Sequence, residues 1–109
     1  IMQVNMINDN INLIQILGNK FENKEYAPFI NQDTGFNLSI LKSNKGQIDN
    51  LKFEKPTILF SRTGKWEIMI DDFQCILNPK DTISIPINSN VNIKINENED
   101  CYLNCVTQI

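Results

Sequence analysis

From Gly35 onward, apolar and polar residues alternate with a period of two, and turn-forming residues interrupt the alternation at short intervals. "FNLSILK" alternates, and "NKG" closes it as a turn. "TILFSR" and "KWEIMI" flank Thr63-Gly64, and "DD" separates "KWEIMI" from "FQCIL". "NPKD" precedes "TISIP", "NSN" leads into "VNIKI", and "NENED" turns into "CYLNCVT". Alternation with period two places successive side chains on opposite faces of an extended chain. About eight short strands at regular spacing, with no helical pattern between them, predict an all-β antiparallel sandwich or barrel.

Residues 1–34 read differently. Val4, Ile7, Ile11 and Ile14 follow a 3-4-3 spacing, which puts them on one helical face. The run from Ile11 to Leu17 also reads as extended, and Gly18-Asn19 stops it. A short helical or mixed segment covering the sheet is expected. "KFENKEYAPFINQ" reads as a polar connection with Phe21, Tyr26 and Phe29 as anchors, and Pro28 opposes a helix through its centre. Residues 1–34 and 35–109 are expected to form one domain, since 109 residues suit a single core.

Charge and composition exclude several classes. The net charge is −3, and the ten basic residues are scattered rather than striped, so no nucleic-acid partner is expected. No apolar run is long enough to span a membrane. "IMQVNMINDN" lacks the basic start and apolar core of a signal peptide, which places the protein in the cytoplasm. The three cysteines, Cys75, Cys101 and Cys105, read as packing residues. On an extended strand, C-x3-C puts its Cα atoms about 13 Å apart. That exceeds the roughly 7 Å limit of a disulfide. A zinc shared by these thiols would need further soft ligands, and the chain contains no histidine.

The stretch "TGKWEIMIDDFQCILNPKDTISIPINSNVNI" resembles a small single-domain cupin, and the resemblance covers roughly residues 35–106. Gly64, Asp81, Ile85 and Pro86 fall in the order that such proteins use, with "NPKD" standing where "xPGD" usually stands. The resemblance implies a double-stranded β-helix, or jelly roll, barrel. Asp81 is expected to cap its tight turn. Pro86 ends a strand where no donor is needed.

Metal-binding cupins use an H-x-H motif, a following Glu and a later His. The resemblance sets these at Leu51, Phe53, near Thr57 and at Val91. Side chains of Leu, Phe and Val hold no lone pair for a transition metal. Too few carboxylates cluster here for a hard cation. A barrel without metal or cofactor is therefore expected.

Strand parity sends Leu51, Phe53, Thr57, Leu59 and Ser61 inward, facing Trp66, Ile68 and Ile70. Two readings follow. Either these residues make a solid core, or Leu51, Phe53, Thr57, Ser61, Trp66 and Val91 line a narrow pocket for a small organic or sugar-like ligand. No catalytic residue is nominated. Asp71-Asp72 reads as a hairpin tip, and Arg62 as exposed or at an interface. Ser39, Ser43 and Ser84 have no histidine to activate them.

Two functions remain open: a non-catalytic domain that binds a small molecule or acts as an oligomeric module, and a metal-independent sugar isomerase or epimerase. The resemblance also implies a homodimer. Ile58 and Phe60 add a physical reason, because they are apolar on the face opposite the inward set.

Overall fold

The computed structural model describes residues 5–7, 21–22, 25–26, 29–31 and 35–108, with side chains from residue 35 onward. Among the described residues every element is a strand: β1 (Asn5–Ile7), β2 (Phe21–Glu22), β3 (Glu25–Tyr26), β4 (Phe29–Asn31), β5 (Phe36–Phe53), β6 (Thr57–Ser61), β7 (Trp66–Ile70), β8 (Phe73–Leu77), β9 (Thr82–Ile85) and β10 (Val91–Gln108). The strands β5 and β10 each hold 18 residues and pair antiparallel along almost their whole length.

These two strands are the spine of two layers. In one layer, the first part of β5 pairs the last part of β10, which pairs β6, which pairs β9. In the other, the last part of β5 pairs the first part of β10, which pairs β7, which pairs β8. The inward residues of both layers form one hydrophobic cluster that includes Leu41, Phe53, Leu59, Trp66, Ile93 and Leu103. Shared long strands with short hairpin strands on either side make a jelly roll.

Two turns read from the sequence are not chain reversals. "NKG" lies inside β5 and "NENED" inside β10. The long strands pass from one layer to the other there, and the pairing register shifts between Asn96 and Cys101. The extra residues on the β10 side stand out as an exposed bulge, Glu97 to Asp100. Lys42 Nζ lies 3.7 Å from Asp100 Oδ2, and Asn44 Nδ2 donates to Asp100 Oδ1 at 3.3 Å.

A second irregularity sets the interior. The β5–β10 register shifts between Val91 and Ile93, opposite Asn50, whose φ is +58°. Asparagine is among the few non-glycine residues that enter this left-handed region readily. The Asn50 N–H donates to Asn92 Oδ1 at 2.9 Å, and Asn90 Nδ2 donates to Asn50 Oδ1 at 3.2 Å. Ile48 points inward. Regular alternation would then send Asn50 and Lys52 into the core. The bulge flips the parity, so Leu51 and Phe53 are buried instead.

Turn chemistry fixes the hairpins. In "NPKD" the Asn78 N–H donates to Asp81 Oδ2 at 3.0 Å, the cap expected from the sequence. Lys80 takes φ +75° where a glycine would be unstrained. At the β7–β8 tip, Asp71 accepts the Asn90 N–H at 3.0 Å and donates its own N–H to the Asn90 carbonyl at 2.7 Å.

Of the short helical or mixed segment expected in residues 1–34, only short extended pieces are described. Asn5–Ile7 is extended and pairs parallel with Leu51–Phe53. The polar connection contributes β2, β3 and β4, all antiparallel to β5. An open edge of β5 offers unpaired backbone groups, and satisfying them overrides local helical periodicity. The remainder of the expected helix lies outside the described residues.

The Asn50 bulge makes a direct prediction. Asn50→Val puts a β-branched side chain at positive φ and removes the amide contact to Asn90, so urea unfolding should show a loss of about 2 kcal/mol or more. Asn50→Gly keeps the conformation and should cost less than about 1 kcal/mol.

Candidate functional site

The six residues singled out from the sequence come together inside the barrel. Leu51 and Val91 are direct cross-strand partners. Phe53 follows Leu51 on the same face, Thr57 and Ser61 lie on β6, and Trp66 opens β7. Leu51, Phe53, Ser61, Trp66 and Val91 are 0% exposed and Thr57 is 3% exposed. No water-sized void therefore touches the first five.

Their polar groups are occupied by the protein itself. Ser61 Oγ donates to the Gly64 carbonyl at 2.8 Å, and Trp66 Nε1 donates to the Thr63 carbonyl at 3.0 Å. Thr57 Oγ1 donates to the Lys55 carbonyl at 2.9 Å. These bonds hold the Ser61–Trp66 turn and the start of β6, and buried hydroxyls need such partners. Gly64 sits in this turn at φ +88°, and a Cβ there would run into the Cys101 side chain. Arg62 is exposed, with its guanidinium carbon 5.2 Å from the centre of the Tyr102 ring.

The cysteines are free thiols, Cys101 and Cys105 on the inner face of β10 and Cys75 half-buried on β8. Burial pushes the Cys105 thiol up to about 12, because a thiolate there would lose its hydration. The Cys101 thiol is raised by burial and by the nearby Glu97, Asp100 and Glu99 carboxylates. Both shifts hold the thiols neutral, which opposes nucleophilic or metal-ligand roles.

Two surface depressions escaped the sequence reading. One, of about 390 Å³, is lined by Thr63, Gly64, Glu97, Glu99, Asp100 and Cys101. The other, of about 210 Å³, lies over the outer face of the second layer, among Gln47, Glu67, Met69, Gln74, Asn92 and Lys94. The first exists because the β10 bulge stands beside the Thr63-Gly64 turn, and no sequence spacing announces that neighbourhood.

The donor set does not fit a transition metal. Leu51, Phe53 and Val91, the positions to which the sequence resemblance assigns the imidazoles of metal-binding cupins, present only hydrocarbon. Among the described residues no group of three or more His, Cys, Asp or Glu side chains is placed to hold an ion. Protein purified without a His tag is expected to carry no stoichiometric iron, manganese, zinc or nickel by elemental analysis. Phe53→Ala is expected to lower stability by about 3–5 kcal/mol in denaturant unfolding, the cost of a large cavity in a packed interior. A loss below about 1 kcal/mol would instead mark Phe53 as the wall of an open space.

No family model matches the sequence, and no curated protein matches it. Solved structures do. A cupin superfamily protein from Desulfitobacterium hafniense DCB-2 superposes with a TM-score of 0.68 at 15% identity, covering 96% of this chain and 95% of that one. The cupin domain of an XRE-family transcriptional regulator from Enterobacter cloacae gives 0.67 at 10% identity, covering 79% of this chain and 96% of that one. The cupin domain of Cnp3 from Schizosaccharomyces pombe gives 0.67 at 11% identity, covering 83% and 68%. Identities this low establish architecture alone. With the shared long strands, the two layers and the turn order already described, they show that this chain has the cupin fold.

Proposed function

We propose that this chain is a non-catalytic cupin-fold module that works through self-association rather than through chemistry in its barrel. The observation that carries this proposal is an apolar patch on the outer face of the first layer. Cross-strand register aligns Leu38, Val106 and Ile58 across β5, β10 and β6. Ile40 and Phe60 flank Asn104 in the adjacent row. Phe36 is 49% exposed and Ile58 42%, while Leu38, Ile40, Phe60 and Val106 are half-buried. In the middle of this patch, Asn104 Oδ1 is withdrawn from water and finds no donor. A donor brought by a covering surface would relieve that cost. Contiguous apolar surface of this kind marks interaction sites.

A small organic or sugar-like ligand among Phe53, Trp66 and their neighbours would have to displace side chains that water does not reach. The isomerase or epimerase alternative would also need a pair of inward acid–base groups. The buried polar side chains described are Ser43, Thr57, Ser61, Ser89 and Thr107, none of them an acid or base at neutral pH. Both features favour the interaction reading.

Size-exclusion chromatography with light scattering tests it. The chain is expected to run at twice its monomer mass or more. Ile58→Asp should break this contact without lowering the melting temperature. A wild-type mass and self-association unchanged by Ile58→Asp would overturn the proposal. A strict monomer at high concentration would do the same, and would point to the N-terminal segment as the cover of this face.

A further inference from the structure

The second layer ends in an edge that differs from every other edge described. β8 pairs β7 on one side, and no described strand pairs its other side. The opposite end of that layer, β5, is joined by β1 and β2. The free edge of the first layer is β9, whose outward residues are Thr82 and Ser84 and whose ends carry Asp81 and Pro86. Proteins protect sheet edges with charges, prolines or bulges. β8 is Phe-Gln-Cys-Ile-Leu, with no charge, proline or glycine.

Two of its side chains are strongly exposed, Phe73 at 61% and Ile76 at 52%. They lie on opposite faces of the strand, because their positions differ in parity. A partner docking on one face of the sheet would cover only one of them. A strand added in the plane of the sheet flanks both, and also satisfies the open backbone groups.

The ends of β8 indicate which strand. Asp71 and Asp72 precede it, and Lys80 follows it in the Asn78–Asp81 turn. Asp81 accepts the Asn78 N–H and Asp71 the Asn90 N–H, which leaves Asp72 as the acid at the two ends without such a bond among the described residues. A parallel copy would stack acidic pair on acidic pair. An antiparallel copy, centred on Cys75, sets Phe73 against Leu77 of the second copy and Gln74 against Ile76 of the second copy. It also sets the two acidic pairs at opposite ends of the contact, each toward the turn of the other copy that carries the exposed Lys80. The sequence is thus complementary to itself under a two-fold axis, as an isologous contact requires.

We infer that β8 is a second self-association site, at which two copies of this chain join their sheets edge to edge through antiparallel β8 strands. The contact uses residues separate from the Ile58 face and stands or falls independently of it.

Cys75 reports on the pairing. Directly opposed residues in an antiparallel pair have Cα atoms about 4.5–5.5 Å apart, within the range that a disulfide bridges. Cys101 and Cys105 are buried, so Cys75 is the accessible thiol. Diamide, which takes up two electrons and two protons from a thiol pair, should convert the protein to a covalent dimer visible on a non-reducing gel. Cys75→Ser should abolish it. Ile76→Lys and Phe73→Lys alter exposed positions and leave the core intact. Each should cut the dimer yield about tenfold or more while Cys75 remains, since each removes an apolar contact at both ends. Ile58→Asp should cross-link like the wild type and should scatter as a dimer, reduced from a wild-type assembly that is larger than a dimer when both contacts form. Cross-linking that is absent, or that persists unchanged in Ile76→Lys and Phe73→Lys, overturns the inference. So does a monomeric Ile58→Asp protein.

Discussion

The antiparallel pairing of β5 with β10 is the interaction on which the rest of the fold depends. Each strand is 18 residues long and serves both layers. Neither layer is complete without them: β6 and β9 reach the first layer only through β10, and β7 and β8 reach the second only through β10. Pairing of this kind is non-local, joining residues near position 40 to residues near 104. The loop entropy of that closure is lost before most core contacts form. Jelly rolls belong to the slowly folding topologies for this reason.

Much of the fold was legible in the sequence because period-two alternation survives wherever one face is buried. "TILFS" and "WEIMI" alternate cleanly, and both are strands whose odd or even positions are buried as expected. Legibility failed where alternation broke without the chain reversing. "NKG" and "NENED" carry strong turn residues, yet the strands continue through them. Local propensity cannot distinguish a reversal from a bulge when the deciding term is pairing with a distant strand. The short strands Phe21–Glu22, Glu25–Tyr26 and Phe29–Asn31, read as a polar connection, were missed for a related reason, since they pair along the edge that β5 presents.

The candidate site was legible as a set and illegible as a state. Parity correctly grouped Leu51, Phe53, Thr57, Ser61, Trp66 and Val91 on inward faces. It reached that result without the Asn50 bulge, which resets the count for Leu51 and Phe53. Whether grouped side chains enclose space or fill it depends on fit at the scale of single methyl groups. That information lies in distances between layers, not in residue types. The hydroxyls that looked available for a ligand are taken up by the carbonyls of Lys55 and Gly64, a few residues away.

The meeting of Gly64 with Cys101 has a consequence for how this sequence can drift. The Gly64 turn exists at the distance it does because position 64 has no side chain and position 101 has a small one. A larger residue at either place is blocked by the other. The two positions therefore behave as one site with a fixed total volume, although β7, β8 and β9 separate them in the chain. Substitutions there are accessible in a definite order, with space opened at 101 before anything is added at 64. Even then the positive φ of the turn still favours glycine. Among distant relatives of this fold, a residue other than glycine at the equivalent turn should therefore report a smaller or repositioned partner on the long strand.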